Sequence, residues 1–402
     1  MATMATDPWL TIVGIGEDGP NGLSSASRDA LRSAEIVIGS ARHLAVVGPT
    51  DAECITWPVP FADGIEKLLA LRGRPVVMLA SGDPFWFGAG SVVTQHLNAG
   101  AWVALPAPSV FSLAAARLGW PIESTLCIGL HAAPFTRLRP HLANHARAIV
   151  LLRNGDAVSE LAQYLVSQGF GASVVHVLEA LGGPRERVRQ STAAEIDFSD
   201  IAHPVAVGLV FEGDGFALPG VSGLPDTLFE HDGQITKRQV RALTMSSLAP
   251  VAGEHLWDIG AGSGSIGIEW LLAHPACQAT AIEADPDREK RIRGNAERLG
   301  VDRLKVVEGR APEALVGLEK PDAVFIGGGL SNELLEALWE RLELGCRVVA
   351  NAVTLESEAL LIAWHAGVGG SLTKVNLAEA MPLGSKRGWQ SAYPVVQWSV
   401  VR

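Results

Sequence analysis

The chain has 402 residues, 48% apolar and 19% charged, with 43 acidic residues against 32 basic ones and a net charge of −11. At about 150 residues per domain the length implies two or three cores, and so few charges among so many apolar residues exclude intrinsic disorder. The acidic balance excludes a whole-chain basic footprint for nucleic acid and predicts repulsion from anionic membranes.

The first residues, Met1-Ala2-Thr3-Met4-Ala5-Thr6-Asp7, carry neither a positive region nor an apolar stretch, so no secretory leader is expected. No apolar run reaches the roughly 18 residues of a membrane span. Cys54, Cys127, Cys277 and Cys346 are scattered without a Cys-x-x-Cys pair, which suits a reducing cytoplasm and argues against a cysteine metal site.

Thr11-Ile12-Val13 predicts a strand running into the loop Val13-Gly14-Ile15-Gly16-Glu17-Asp18-Gly19. A helix is expected over Ser25–Ser33 and a strand at Ile36–Ile38; Val76–Ala80 is another strand, leading into Ser81-Gly82-Asp83-Pro84. Pro106–Ala116 opens a helix with Ser109 or Ser112 as its cap. Ala148–Leu152, Ser173–Leu178 and Val205–Phe211 continue an alternation that means α/β architecture with mainly parallel sheets. None of the three Gly/Pro-rich loops carries the Gly-Lys-Ser/Thr of a phosphate loop. Asp83 is the polar residue of this half best suited to organise a cofactor loop or meet a substrate nitrogen, with turn formation as the alternative. His141 and His145 stand four apart on an expected helix, but Leu142 replaces the glutamate of a zinc motif, so surface histidines are expected. Arg185, Arg187 and Arg189 alternate and are read as a solvated face.

Gly213–Pro225 is rich in Gly and Pro and has no sustained period, which places a boundary near residue 220 and domains at 1–220 and 221–402. A second series of strands follows: His255–Ile259, Ala279–Glu283, Leu304–Val307, Ala323–Ile326, Arg347–Ala350 and Val395–Val401. The sharpest local signal is Asp258-Ile259-Gly260-Ala261-Gly262-Ser263-Gly264-Ser265-Ile266-Gly267, a strand ending in glycines before a helix over Ile266–Ala273. Glycines let the backbone approach a ligand, and the helix start offers free N–H groups. Glu283 ends the next strand, placed to accept hydrogen bonds from ribose hydroxyls. Gly262-x-Gly264-x-x-Gly267 matches the dinucleotide fingerprint, so NAD and S-adenosylmethionine both fit. Asp258, acidic where a dinucleotide fold packs an apolar residue, favours S-adenosylmethionine. Gly309 and Ala311 follow the next strand, where the adenine edge would lie, and Gly327-Gly328-Gly329 are expected to leave room beside a transferring methyl, with a flexible loop as the alternative. Upstream, Lys237, Arg238 and Arg241 share a helical spacing suited to gripping a carboxylate, with a solvated face as the alternative. Lys386-Arg387 is a weaker candidate of the same kind. Eleven Trp are expected mostly in the core.

The loops at Val13–Gly19, Leu79–Gly88 and Pro106–Pro121 together resemble the tetrapyrrole methylases, class III methyltransferases with a cleft between two α/β subdomains. Within that family they are most similar to the cobalamin-pathway branch that methylates at C5. Glu17-Asp18, where many members have Pro-Gly, and His131-Ala132-Ala133-Pro134 depart from its pattern. Gln234-Ile235-Thr236-Lys237 and Asp258–Gly267 resemble the decarboxylating C15-methyltransferases, with a Rossmann-like class I fold. In this order the halves resemble the fused precorrin-6B C5,C15-methyltransferase (decarboxylating) family of cobalamin biosynthesis. That resemblance implies two S-adenosylmethionine sites per chain. The first would use Gly14, Gly16, Ser81, Gly82, Asp83 and Ser109. The second would use Thr236, Asp258, Gly260, Ala261, Gly262, Ser263, Gly264, Glu283, Gly309 and Ala311. Asp83, Lys237 and Arg238 would face a precorrin tetrapyrrole, with no metal ligand, in a cytoplasmic homo-oligomer that binds neither nucleic acid nor membrane. An NAD(P) oxidoreductase fused to a methylase-like domain and a non-catalytic tetrapyrrole scaffold are the alternatives.

Overall fold

A computed structural model of the chain describes residues 8–402, so the leaderless reading of Met1–Asp7 lies outside the described residues. The chain divides into two compact units, one reaching to Pro134 and resuming over Ala143–Phe216, the other holding Phe135–Leu142 and Ala217–Arg402.

The first unit opens with five parallel strands, β1 (Leu10–Ile15), β2 (Ile36–Gly39), β3 (Glu53–Thr56), β4 (Val76–Ser81) and β5 (Trp102–Leu105), in the order β3-β2-β4-β1-β5. Successive residues of β4 enter opposite cores: Val76, Met78 and Ala80 pack on one side, Val77 and Leu79 on the other. Burial on both faces is why these strands read as unbroken apolar runs. Helices α1 (Ser25–Ser33), α2 (Ala41–Val47), α3 (Asp63–Leu69), α4 (Ala89–Val93) and α5 (Val110–Leu118) connect them and lead onward. Ser24 caps α1 and Ser109, not Ser112, caps α5, its hydroxyl accepting from Ser112 N–H at 3.1 Å.

A second sheet follows: β6 (Leu126–Gly129), β7 (Arg147–Leu151), β8 (Val174–Glu179), β9 (Arg187–Thr192) and β10 (Val205–Val210), ordered β6-β7-β10-β8-β9, with α6 (Asp156–Ser167) between β7 and β8. Only β6 and β7 are parallel here, so this sheet departs from the mainly parallel pattern. Strand direction leaves no mark on strands like β10 whose residues are buried on both faces. His141 ends a turn of 3-10 helix and His145 sits at φ +68°, so the expected helix carrying both does not form.

In the second unit, α7 (Arg238–Leu248) precedes β11 (His255–Ile259), α8 (Ser265–Ala273), β12 (Gln278–Glu283), α9 (Pro286–Arg298), β13 (Lys305–Glu308), β14 (Ala323–Ile326), α10 (Asn332–Arg341), β15 (Arg347–Ala352) and α11 (Leu355–Val368). The strands β16 (Ser371–Val375), β17 (Ala378–Leu383), β18 (Lys386–Ser391) and β19 (Val395–Val401) complete it. The order β13-β12-β11-β14-β15-β19-β16 reverses direction at β11, where β14 adds on the side away from β12. That reversal opens a crevice at the strands' carboxyl ends. β17 and β18 pair only with each other. Trp257, Trp270 and Trp398 are fully buried, but Trp389 on β18 is 79% exposed. Among the described residues no helix is long and apolar enough to cross a membrane.

Candidate functional site

A cavity of about 1260 Å³ lies at the carboxyl ends of β11, β12, β13 and β14. Gly260, Ala261, Gly262, Ser263, Glu283, Gly309 and Ala311 line it, as do Thr236, Lys237 and Gly327–Gly329. Asp258 and Gly264 stand just behind this lining. The glycines serve different ends. Gly260 has φ +67°, and a Cβ there would come within 2.6 Å of the Gly328 backbone, so these two strand ends touch through bare backbone. At Gly264, φ +74°, a Cβ would meet Ile292 at 2.8 Å. Gly262, φ +59°, faces open space, the nearest atom to a Cβ being Gln234 O at 3.9 Å.

Glu283 holds the glycine loop in shape. Its carboxylate accepts from the N–H of Gly262 at 2.8 Å, Ala284 at 2.9 Å and Asp285 at 3.0 Å. Asp258, 1% exposed, accepts from Gly267 N–H at 2.9 Å at the start of α8. Its Oδ1 has no partner among the described residues, and burial pushes its carboxyl up to about 7.

Of the expected cationic trio, Lys237 lines the cavity, with Asp226 at 3.9 Å, and Arg238 is exposed outside it. Arg241 corrects the reading: it is fully buried, donating to Glu269 at 2.6 Å and Asp226 at 3.1 Å. Glu269 also accepts from the N–H of Gly223 and Leu224, so this pair fastens the end of the Gly/Pro segment. The sequence signal was there, a lone acid on the apolar helix Ser265–Ala273. Lys386 and Arg387 lie on the exposed hairpin and do not line the cavity. Arg288 and Arg310 do line it and were not anticipated. Asn351 was missed too. It is the next-to-last residue of the apolar β15, held by Thr244 at 2.9 Å and Gln397 at 2.9 Å.

In the first unit the three Gly/Pro-rich loops leave the adjacent ends of β4, β1 and β5 and meet. A Cβ on Gly14 would fall 1.9 Å from Gly82 O and 2.6 Å from Ala107 N. Ala107 N–H donates to Gly82 O at 3.1 Å, and Gly82 N–H to Ile15 O at 3.0 Å. Gly16 packs beside Asp18, and Ser109 follows Pro108, whose carbonyl a Cβ on Gly82 would approach to 2.9 Å. Ser81 is exposed and bonded to Arg42 at 2.8 Å and His43 at 2.9 Å. Asp83 accepts from Phe85 N–H at 2.8 Å, a local turn. After it come three consecutive exposed aromatics, Phe85, Trp86 and Phe87, the last at φ +55°. Trp86 lies 4.8 Å from Phe111, ring to ring.

Arg187 and Arg189 do not form a solvated face. β9 pairs with β8 so that both reach Glu179, fully buried, at 2.7 and 2.9 Å, and both also bind Asp200. Arg185 turns to Glu17 instead, at 2.9 Å.

Residues 9–197 match the family of tetrapyrrole (corrin/porphyrin) methylases and residues 227–402 the precorrin methyltransferase domain. A precorrin-6Y C(5,15)-methyltransferase (decarboxylating) from Sinorhizobium sp is 48% identical over 397 residues, 98% of this chain and 96% of that protein. The chain belongs to the precorrin-6Y C(5,15)-methyltransferase (decarboxylating) family. A second member, from Mycobacterium tuberculosis, is 39% identical over 98% of this chain and 100% of its own length. The crystal structure of the C-terminal domain of a precorrin-6Y C5,15-methyltransferase from Rhodobacter capsulatus shares 51% identity, covers 46% of this chain and 100% of that one, and has a TM-score of 0.45. Family membership makes the chain a methyltransferase that uses S-adenosylmethionine. These relatives give no support to an oxidoreductase or a scaffold.

Proposed function

We propose that the chain methylates a precorrin-6 at C5 and C15 and removes the carboxyl of the ring C acetate to give precorrin-8X in cobalamin biosynthesis. We take the substrate to be precorrin-6B; the relatives are named precorrin-6Y methyltransferases. Residues 1–220 act at C5 and residues 221–402 at C15 and in decarboxylation, each with its own S-adenosylmethionine site. The first site is Gly14, Gly16, Ser81, Gly82, Asp83 and Ser109. The second is Thr236, Asp258, Gly260–Gly264, Glu283, Gly309 and Ala311, with Lys237 toward substrate and Asp83 in that role at C5; Arg238, exposed outside the cavity, does not take the substrate-facing role expected of it.

The observation carrying this reading is the cavity, which joins Glu283, Gly262 and Gly309 at the sheet's switch point. Its residues suit the cofactor: Gly262 offers bare backbone beside open space, Glu283 offers an anion for ribose hydroxyls, and Asp258 has a buried oxygen that no described residue meets. At about 1260 Å³ the cavity exceeds the usual ligand pocket of about 300–1,000 Å³, leaving room for part of a macrocycle beside a nucleoside. S-adenosylmethionine supplies an electrophilic methyl on sulfur. The chain's task is to hold the accepting carbon about 3–3.5 Å away and exclude water. A conjugated macrocycle supplies its own electron-rich carbon and takes up the electrons when carbon dioxide leaves, so the chemistry asks for no strong general base from the chain. Lys237, Arg288 and Arg310 counter the substrate's carboxylates within an acidic chain. In the first unit, Phe85, Trp86 and Phe87 offer an apolar platform beside the Ser81–Asp83 loop. The exposed Met381, Leu383 and Trp389 of the β17–β18 hairpin favour a homo-oligomer. We place the protein in the cytoplasm, without nucleic-acid partners.

Titration of S-adenosylhomocysteine into the full chain by calorimetry tests the reading, with NADH in a parallel cell. Two binding events per chain and silence from NADH are expected. A single event removes one of the two sites, and binding of NADH alone overturns the reading.

A further inference from the structure

In the first unit, position 17 of the glycine loop after β1 is acidic, and Arg185 leaves the company of Arg187 and Arg189. They meet. Glu17, 9% exposed, accepts from Arg185 at 2.9 Å on one oxygen and from Arg42 on the other. The backbones are in contact there, since a Cβ on Gly183 would lie 2.8 Å from Glu17 O. Arg42 reaches further, donating to Ser81 at 2.8 Å and contacting His43 at 2.8 Å. One carboxylate therefore serves two guanidiniums. Among the described residues, the neighbouring Asp18 makes no ion pair that would balance the second. Burial and Arg42 together push His43 down to about 4, so it adds no charge at neutral pH. Burial and Arg42 also lower His203. The cluster holds one surplus positive charge beside Ser81, at the edge of the loop that leads into Gly82 and Asp83. Arg185 is 58% exposed and spends one nitrogen on Glu17, leaving most of its planar fork open.

We propose that Arg42 and Arg185 form a carboxylate-binding site for the tetrapyrrole, and that Glu17 is a positioning residue which aims both guanidiniums at it. A planar fork bonds a carboxylate bidentately, and the surplus charge is matched when one acidic side chain of the macrocycle docks. The site fixes the rotation of the ring over the Ser81–Asp83 loop and so helps decide which carbon meets the methyl group. This inference rests on the first unit being the C5 methylation site.

The test is steady-state methylation by the full chain, with methyl-labelled S-adenosylmethionine and enzymatically prepared substrate, counting label at C5. Arg185→Gln is expected to raise KM for the tetrapyrrole about tenfold, one charge-assisted contact. kcat, S-adenosylhomocysteine affinity and carbon dioxide release should stay as in the parent. Arg185→Lys recovers part of the loss, because it restores charge without the fork. Glu17→Gln is the sharper arm. It makes the site more positive, so attraction alone would lower KM, whereas loss of aim raises it. Unchanged KM in Arg185→Gln and Arg42→Gln overturns the site. Weakened S-adenosylhomocysteine binding in both overturns it too, assigning the arginines to the carboxylate of the cofactor. Failure of the parent to label C5 would instead sink the assignment of this unit.

Discussion

Replacing Glu283 by alanine should weaken S-adenosylhomocysteine at the C-terminal glycine loop by one to two orders of magnitude. Glu283 ends β12 with only 6% of its surface exposed and gives its oxygens to three backbone N–H groups, those of Gly262, Ala284 and Asp285. A carboxylate offers about four acceptor positions, so about one is left for the ligand. One ribose hydroxyl would take that position, and the other would share an oxygen already in use. A hydrogen bond to a charged group contributes about 1.5–3 kcal/mol, which at about 1.4 kcal/mol per decade is roughly 10- to 150-fold in affinity. Release of Gly262 adds to the loss by freeing the loop. Calorimetry on the full chain should show one binding event weakened by this factor and the other untouched, with a melting curve confirming the fold. A folded variant whose two events both match the parent refutes the placement of the ribose.

Asp258 should leave its mark on the pH dependence of stability. Its folded-state pKa, raised to about 7 by burial, keeps the proton on the native chain above the unfolded value. Its contribution is thus full below about pH 4 and is lost as pH rises through 7. Denaturant titrations at pH 4 and pH 8 should show Asp258→Asn gaining on the parent by on the order of a few kcal/mol, and a constant difference would count against a protonated carboxyl. Arg241→Met leaves Glu269 buried and short of its cation, costing about 3–5 kcal/mol in unfolding free energy; adding Glu269→Gln should recover part of it, and additive losses would deny the coupling. Gly260→Ala should abolish cofactor binding at the second unit through collision with Gly328, with a clear drop in melting temperature. Gly262→Ala should fold with a strain of about 1–2 kcal/mol and lose binding all the same; equal melting temperatures for the two variants would contradict the contact.

Strands buried on both faces were legible because they leave no choice of pattern. His255–Ile259 and Ala323–Ile326 coincide with β11 and β14; Val395–Val401, buried only at its centre, also coincides with β19 through its β-branched run. The hairpin β17–β18 was not legible, since its residues are almost all exposed and no alternation marks a buried face. β3, an exposed edge, was missed for the same reason. The antiparallel run of the second sheet was hidden by the opposite condition, burial so complete that direction leaves no trace. The Arg185–Arg189 row misled because charge alternation reads as solvent exposure unless the partner is known. That partner is Glu179, a single acid closing the apolar run Val174–Leu178, which register brings opposite Arg187.

At the glycine loops, spacing located the site but could not divide the labour among its residues. Read as a motif, each glycine makes room for a ligand. In the structure Gly14 and Gly260 make room for other loops, Gly82 and Ala107 against the one and Gly328 against the other, while Gly262 faces open space. The two units share no topology, yet each uses a glycine to bring two strand-end loops into direct backbone contact. This gives the motif glycines an architectural reason that precedes any ligand: without the contact the loops would stand apart and no concave surface would form at the carboxyl ends. What sets the two sites apart is then left to the few side chains held among these loops and strand ends. These are the ones a pattern of glycines cannot reveal, Asn351 on its hydrogen-bonded floor and Glu17 between two arginines.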